Sequence, residues 1–400
     1  MPWRNTTVLD DRIQFIAMYL KKDLSFAQLC QEFDVSRKTG YKYVERYNRC
    51  GPEGLHDLSR APHNHPNAVC EELQQQILAF KSQHPTWGPR KVKFLLDKQD
   101  NVVLAPVAST IGEILKRNGL VMPRKRRYRA SPTIPTDLTQ PHAPNDVWCA
   151  DFKGHFGLGN GNRCHPLTIT DAYSRTLLRC QALSCTNTDA VKPVWIGAFL
   201  EYGMPTVIRT DNGTPFASNG LAGLSKLSVW WIKLGIIPQR IQPAHPQQNG
   251  SHERMHKTLK AEATRPPQVD IAAQQRVFEV FKDEYNNLRP HEALGQITPA
   301  SIYLASDRTY PKREPQLEYP SGMSVRRVRT SGEIRWHGEL LYVSESLVGE
   351  SVALDQIDER RWVLYFGALP LALIDDPTRS WVSVKQAQPI LIKLLKGEPV

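Results

Sequence analysis

A proline-rich segment over residues 123–144 divides this chain into two parts that must bury their apolar side chains separately. Proline fixes its own backbone torsion and lacks an amide donor, and the segment offers few large apolar side chains. We therefore predict an extended linker here, with helical modules before it and a mixed fold after it. A length of 400 residues suits several domains rather than one.

The positive charge of the chain is concentrated in its first part. Residues 1–145 carry 22 Lys and Arg against 14 Asp and Glu, and they supply most of the net charge of +11. The densest basic run lies in the linker and consists of Arg124, Lys125, Arg126, Arg127 and Arg129. Such a run is either a solvated tether or an arm that follows a phosphate backbone. The excess of positive charge favours a polyanionic partner.

Three classes of protein are disfavoured by the composition. No apolar run approaches the roughly 18–20 residues that a membrane span needs, so no membrane partner is expected. The N-terminal residues lack the apolar core of a secretory signal. The seven cysteines include no C-x-x-C pair, which argues against a disulfide framework and a zinc ribbon. We expect a reduced, cytoplasmic protein.

The first predicted module has the apolar spacing of three short helices over residues 11–47. Ser36 would cap the third helix, and Gly40 within it predicts close packing or a bend, because glycine costs roughly 1 kcal/mol in a helix. The outward face of this helix would carry Arg37, Lys38, Thr39 and Lys42. Recognition helices use these residue types in the major groove, so a helix-turn-helix is favoured over a plain bundle with a solvated basic face. A second helical unit, predicted over residues 61–122, would make a pair of DNA-reading modules.

From about residue 146, short strands alternate with helices, which predicts an α/β core with a mixed sheet. One strand carries Asp151, and a later strand ends in Asp211-Asn212-Gly213. A helix further on carries Glu253, with Lys257 and Lys260 on the same face.

Phosphodiester cleavage with two divalent ions needs hard oxygen ligands that converge from separate elements. Asp151, Asp211 and Glu253 could supply them, since three carboxylates, two Mg²⁺ ions and one phosphodiester together carry no net charge. Each acid also has a plain structural explanation: a strand-edge charge, a turn and a surface ion pair, respectively. Asp171 at another strand end is a competing acid.

Several motifs, taken in order, resemble those of the integrase-type transposases of bacterial insertion sequences, which are relatives of retroviral integrases. The resemblance extends over almost the full chain. The motifs are Trp148-x-x-Asp151, Thr210-Asp211-Asn212-Gly213-x-x-Phe216, Pro243-x-x-Pro246-x-x-Asn249-Gly250-x-x-Glu253-Arg254-x-His256-x-x-Leu259-Lys260 and Tyr285-Asn286-Asn287-x-Arg289-Pro290-His291.

This resemblance implies a ribonuclease-H-like core in which Asp151, Asp211 and Glu253 form an Asp-Asp-Glu triad that binds two Mg²⁺ ions, with Mn²⁺ as a substitute. It implies that water releases a 3′-OH at the element end and that this 3′-OH then attacks target DNA. Lys257 and Lys260 would hold DNA near the metal ions. Asp171 matches no position of the triad.

The resemblance also implies partners and a location. Arg90 and Lys91, in the segment Trp87-Gly88-x-Arg90-Lys91, would belong to the second DNA-binding module. The partners would be double-stranded DNA at the element ends and the target, and further copies of the chain in a multimer. The protein would be bacterial and nucleoid-associated. Two departures are a spacing of 42 residues between Asp211 and Glu253, explained by an insertion around residues 218–229, and the lack of an N-terminal zinc module.

The C-terminal quarter shows five short strands over residues 323–375, which predicts a small all-β barrel that binds DNA or assembles subunits. Its candidate phosphate contacts are Arg326, Arg327 and Arg329. The predicted organisation is a helix-turn-helix domain (1–60), a second helical DNA-binding domain (61–122), a basic linker (123–144), a ribonuclease-H-like core (145–305), a linker (306–322), a small β-barrel (323–380) and a tail (381–400).

The leading hypothesis from the sequence is a metal-dependent DNA transposase. The alternatives are a DNA-binding regulator that has the fold without the chemistry and a metal nuclease that hydrolyses DNA without joining it. Joining of product strands to a second duplex distinguishes the transposase from the nuclease.

Overall fold

The computed structural model describes residues 7–59, 68–99, 105–121, 138–218, 223–242 and 246–395. The chain forms two compact units, Met1–Cys70 and Glu71–Val400. The basic run at 124–129 and residues 219–222 of the predicted insertion lie outside the described residues. Among the residues described, no helix combines the length and apolar character needed to span a bilayer.

The first unit contains the three helices predicted from its apolar spacing: α1 (Val8–Lys21), α2 (Phe26–Glu32) and α3 (Arg37–Cys50). Thr7, Ser25 and Ser36 cap them, each side chain accepting from the backbone amide three residues later. Phe15 and Leu29 are among the buried residues at the centre of this unit. The domain thus has local start signals for every helix and an apolar core that joins them.

Gly40 is a point of close packing between α3 and its neighbours, one of the two explanations that the sequence offered. A Cβ atom at this position would lie 2.8 Å from Cys30 Sγ, 2.9 Å from the Phe15 ring and 3.0 Å from the Phe26 ring. These separations are shorter than ordinary van der Waals contacts. The glycine is therefore required by packing rather than by backbone conformation.

The substitution Gly40→Ala should destabilise the first unit by roughly 1–2 kcal/mol, because overpacking three close neighbours outweighs the gain in helix propensity. Hydrogen exchange of the α3 amides in the full chain measures this change. Gly112→Ala in the helix Ala108–Arg117 is the control, since its new Cβ would meet its nearest atom at 3.4 Å. A stabilising effect of Gly40→Ala would contradict the packing argument.

The second unit begins with a helical module made of α4 (Glu71–Gln83), α5 (Pro89–Asp97) and α6 (Ala108–Arg117). Ile77, Leu96 and Ile111 are fully buried in this part of the chain. The structure thus contains the second helical segment that the sequence predicted, and this module belongs to the same compact unit as the sheet that follows.

A mixed sheet forms the centre of the second unit. Its strands are β1 (Val147–Phe152), β2 (Phe156–Gly157), β3 (Arg163–Asp171), β4 (Leu177–Leu183), β5 (Val207–Thr210) and β6 (Ile237–Arg240). The order is β2-β3-β1-β5-β6, with β4 also paired to β3. β3 runs antiparallel to β1 and β4, whereas β1, β5 and β6 are parallel. This arrangement confirms the predicted α/β core.

Helices cover the sheet through two apolar clusters. The covering helices are α7 (Thr188–Tyr202), α8 (Lys226–Lys233), α9 (Gly250–Glu262) and α10 (Ile271–Asp283). Trp195 of α7 and Trp231 of α8 pack with Trp148 of the sheet in one cluster. Leu259 of α9 and Phe278 of α10 pack with strand residues in the other. Burial of these helices fixes the orientation of α9, which carries Glu253.

The C-terminal part consists mainly of strands, as predicted, but the structure does not confirm the predicted small barrel. Its elements are β7 (Ser324–Arg327), β8 (Glu333–Trp336), β9 (Glu339–Tyr342), β10 (Ser351–Gln356), β11 (Arg361–Phe366), β12 (Leu369–Asp375), β13 (Ser380–Trp381) and α11 (Val384–Leu395). Five strands pair in the order β13-β12-β11-β10-β7, and β8 and β9 form a separate hairpin. Within the described residues, the two end strands of the sheet do not pair with each other, so the structure shows no closed barrel.

The segments predicted as the second linker and the C-terminal tail both contain residues that pack on the rest of the unit. In the predicted linker 306–322, Arg308 donates hydrogen bonds to the backbone oxygens of Pro205, Leu234 and Gly235. The predicted tail contains α11, which buries Ala387 against Leu373 of β12. These contacts are made with residues distant in sequence, so local composition does not predict them.

Candidate active site

Asp151 and Asp211 lie at the same edge of the central sheet, on neighbouring parallel strands. Ala150 of β1 is paired with Thr210 of β5, so the next residue of each strand is an aspartate. Parallel strands direct their carboxyl ends to one edge, and this register brings the two acids side by side. The structure therefore juxtaposes two of the three acids selected from the sequence.

The Asp211-Asn212-Gly213 segment forms a turn and also holds the Asp211 carboxylate. The Gly213 amide donates to Asp211 Oδ1 at 3.1 Å, and Asn212 Nδ2 donates to Ile241 O at 2.8 Å. A Cβ on Gly213 would lie 3.1 Å from Asp211 Oδ2. The glycine thus leaves room for the carboxylate. The same three residues form the turn and position the acid, so the two interpretations do not exclude each other.

Glu253 lies in the first turn of α9 and is exposed. Lys257 and Lys260 are exposed on the same helix, whereas Met255 and Leu259 are buried. The helix is therefore oriented as its sequence predicted, with the acid and the two lysines facing outward.

The three carboxylates act on one another electrostatically. Burial, together with the negative charges of Asp211 and Glu253, raises the pKa of Asp151 to about 7, against the lowering effects of the Phe152 backbone hydrogen bond and of Lys153. Carboxylate oxygens are the ligands that hard divalent cations prefer, and such a cation would relieve this repulsion. The donor set therefore fits Mg²⁺ or Mn²⁺ in kind. In the described ranges, no three His, Cys, Asp or Glu side chains are close enough together to hold one ion.

A buried polar network joins α9 to the strand next to Asp151. The Thr168 hydroxyl of β3 donates to Asp151 O at 3.0 Å. Its oxygen also lies 2.7 Å from Nε2 of both His252 and His256, and His252 Nδ1 lies 2.8 Å from Thr170 Oγ1. With its proton directed at Asp151 O, Thr168 accepts from two imidazoles that carry hydrogen on Nε2.

The two histidines of this network are neutral at physiological pH. Burial lowers the pKa of His252 to about 3 and that of His256 to about 2. The 3.7 Å approach of His256 Nδ1 to Asp151 Oδ2 is accordingly not an ion pair. Neither histidine was predicted from the sequence to have a role in the site. Their spacing of four residues places them on the same helix face as the buried residues Met255 and Leu259, and this periodicity is the signal that they face the sheet.

Asp171, the competing acid, has a structural role. It is 1% exposed and accepts hydrogen bonds from the amides of Asn145 and Ser174 and from the Ser174 hydroxyl. Its oxygens are therefore occupied by the protein itself.

The candidate DNA contacts lie in different environments. Arg37, Lys38 and Lys42 are exposed on α3, while Thr39 is half-buried and bonded to Ser36. Arg326, Arg327 and Arg329 are exposed at the start of the C-terminal sheet. By contrast, Arg90 and Lys91 contact other residues of the second unit: Arg90 Nη1 lies 2.5 Å from Glu292 Oε1, and Lys91 Nζ lies 5.6 Å from the centre of the Trp87 ring.

The raised pKa of Asp151 predicts a pH-dependent penalty on stability when no divalent cation is present. Its protonated form favours the fold, and this contribution is lost as pH rises from about 4 to about 7. Asp151→Asn should therefore be more stable than the wild type at pH 8 by roughly 1–3 kcal/mol, and by less than half as much at pH 5. Denaturant unfolding in EDTA at both pH values measures the difference. The same gap at pH 5 and pH 8 would contradict the assignment.

Models of known families match most of the chain. A model described as an integrase core domain matches residues 141–246, and a second with the same description matches residues 234–299. A helix-turn-helix domain model matches residues 11–63, and a homeodomain-like domain model matches residues 39–115. The matched ranges include the sheet, α9 and both helical modules.

Curated relatives come from insertion elements. Transposase InsD for insertion element IS2D of Escherichia coli is 27% identical over 287 residues, which cover 66% of this chain and 91% of the relative. An uncharacterized 31.7 kDa protein of insertion element IS407 from Burkholderia multivorans is 24% identical over 243 residues, which cover 59% of this chain and 82% of the relative.

Solved structures of viral integrases are also similar to this chain. The integrase catalytic core domain of HTLV-2 in complex with magnesium is 17% identical and aligns with a TM-score of 0.31, covering 41% of this chain and 100% of that one. A chain of the simian T-cell lymphotropic virus intasome in complex with PP2A regulatory subunit B56 gamma is 14% identical, with a TM-score of 0.36 and coverage of 74% and 97%.

Proposed function

Since this chain is an insertion-sequence transposase of the integrase superfamily, we propose that it is an Asp-Asp-Glu enzyme that cuts DNA at the ends of its element and joins the released 3′ ends to target DNA. The observation that carries this proposal is the pairing of Asp151 and Asp211 at one sheet edge, where their charges and that of Glu253 act on one another. A purely structural turn would not need this accumulation of negative charge.

Asp151, Asp211 and Glu253 are the residues that would hold two divalent cations, Mg²⁺ or Mn²⁺. Ions bound there would supply activation of the attacking oxygen and stabilisation of the leaving oxygen. Asp151 must lose its proton to act as a ligand, so its pKa of about 7 favours activity at neutral and higher pH. The Thr168 network sets the position of α9, and thereby of Glu253, relative to Asp151.

Exposed basic residues of α9 and α3, and those of the basic run, would bind and orient DNA. Lys257 and Lys260 lie on the exposed face of α9 beyond Glu253, where they would contact phosphates close to the scissile bond. The exposed residues Arg37, Lys38 and Lys42, with Thr39, would read the major groove from α3. The run of basic residues from Arg124 to Arg129 would follow the phosphate backbone between the modules. Copies of the chain would assemble on paired element ends.

The test uses the purified full chain and labelled duplexes from the DNA that flanks its own gene. With Mg²⁺ or Mn²⁺ the wild type should nick the duplex at the element end and expose a 3′-OH, and EDTA should prevent the nick. Glu253→Gln should bind the duplex without cutting it. Glu359→Gln, a substitution of the same kind at an exposed loop position, should cut like the wild type.

Two results would contradict the proposal and favour the alternatives. Specific binding without a nick, in Mg²⁺ and Mn²⁺ alike, would indicate a DNA-binding regulator. Metal-dependent hydrolysis whose products are never joined to a second duplex would indicate a nuclease.

A further inference from the structure

The segment Trp87–Lys91 faces the α/β core, and two of the sequence motifs meet at this junction. Trp87 is 1% exposed and Arg289, in the motif that follows α10, is 6% exposed. The guanidinium of Arg289 lies 5.5 Å from the centre of the Trp87 ring. A cation placed over an indole in this way is attracted by the ring electrons. The helical module and the core are therefore in direct contact through buried side chains.

Glu262 links this junction to the helix that carries Glu253. It is the last residue of α9, and it accepts two hydrogen bonds from Arg289 Nη1, at 2.7 and 2.8 Å. The Thr86 hydroxyl of the helical module also donates to Glu262. Charge-assisted bonds of this kind fix geometry, because a buried arginine without its carboxylate is strongly disfavoured. One end of α9 is thus bound to the module, while its other end presents Glu253.

Polar pairs surround this centre. His84 Nδ1 lies 2.9 Å from Glu284 Oε1, and Arg90 pairs with Glu292 at the exposed rim. Lys91 is half-buried beside the Trp87 ring. Burial, together with the charge of Arg289, lowers the pKa of Lys91 to about 7. A lysine held in this way is poorly suited to a phosphate contact, which needs a solvated and fully charged side chain.

We infer that the Trp87–Lys91 segment is a docking surface that fixes the α4–α6 module to the end of α9, so that DNA bound by the module is positioned relative to Glu253. Trp87 and Arg289 are then positioning residues, and Arg90 and Lys91 contact the core instead of DNA. This inference rests on the proposed function for its consequence, but the docking itself does not.

The test introduces repulsion at the half-buried pair and then removes it. His84→Glu places a carboxylate against Glu284, and the added substitution Glu284→Lys restores an attractive pair in the same place. Gln83→Glu is the matched control, because it adds the same charge one residue away at an exposed position. If His84→Glu does not yield folded protein, Arg90→Glu and its partner substitution Glu292→Arg test the same surface at its exposed rim.

Two readouts separate docking from function. Hydrogen exchange of the full chain without DNA should show faster exchange at residues 84–92 and at the end of α9 in His84→Glu only. In the cleavage assay, His84→Glu should bind the element end with an affinity within about twofold of the wild type. Its rate of nicking at the correct phosphodiester should fall about tenfold or more, and nicks should appear at neighbouring positions. The double variant should return to within about threefold of the wild type.

Specific outcomes would overturn the inference. Wild-type exchange at residues 84–92 as fast as in an exposed loop would show that the module is not docked. Faster exchange in His84→Glu with an unchanged nick position and rate would show that docking does not position DNA. A wild type that makes no metal-dependent nick would contradict the proposed function, and hydrogen exchange would still decide whether the module is docked.

Discussion

Asp211→Asn is expected to reduce metal-dependent DNA cleavage by roughly 10³-fold or more, because a lost carboxylate ligand removes several kcal/mol of transition-state stabilisation. The turn around residue 211 should persist, since the asparagine oxygen can still accept from the Gly213 amide. Binding of the element end in EDTA should therefore equal that of the wild type. Rates of nicking under single-turnover conditions, beside gel-shift titrations, measure both quantities.

The control for this prediction is Asp189→Asn, which makes the same change at an exposed position in the first turn of α7. It should cut DNA at the wild-type rate. Undiminished cleavage by Asp211→Asn would exclude Asp211 from the reaction, whereas equal loss of binding and cleavage would assign it to DNA contact alone.

Thr168→Val is expected to cost roughly 2–4 kcal/mol of folding stability, because it leaves buried imidazole donors and Asp151 O without their shared partner. Cleavage should also fall by about tenfold or more, since α9 loses the bonds that fix Glu253 relative to Asp151. Denaturant unfolding and single-turnover cleavage, both at pH 8, give the two values.

Thr168→Ser separates the hydroxyl from the rest of the side chain. It keeps the donor and acceptor and removes only a methyl group, so its stability should lie within about 1 kcal/mol of the wild type and its cleavage rate should be close to normal. If the valine and serine variants behaved alike, the network would have no positioning role.

The sheet and the pair of aspartates could be predicted because their signals are local. Strands and helices follow from side-chain periodicity, and the acid at the end of each strand follows from the motif that contains it. Asp151 and Asp211 are 60 residues apart in sequence, yet the parallel register of β1 and β5 brings them together once the strand order is known. The outward orientation of Glu253 followed from the buried positions around it on α9.

The bonded networks could not be predicted, because their members are distant in sequence and have no periodicity in common. A histidine on the buried face of a helix has the same local sequence pattern whether or not a threonine on a neighbouring strand forms a hydrogen bond with it. Arg289 and Trp87 lie in separate motifs, and their contact depends on how the module packs on the core. The closure of the C-terminal sheet depends likewise on which strands pair, and composition indicates only that strands are present.

The central claim is that this protein joins DNA strands, and one measurement tests it most directly. A labelled duplex with a pre-cut element end, bearing a free 3′-OH, is incubated with the full chain, Mg²⁺ and unlabelled plasmid. Label should become covalently attached to the plasmid, and this attachment should be lost with EDTA and with Asp211→Asn. Binding of the duplex and nicking of the plasmid without any attached label would contradict it.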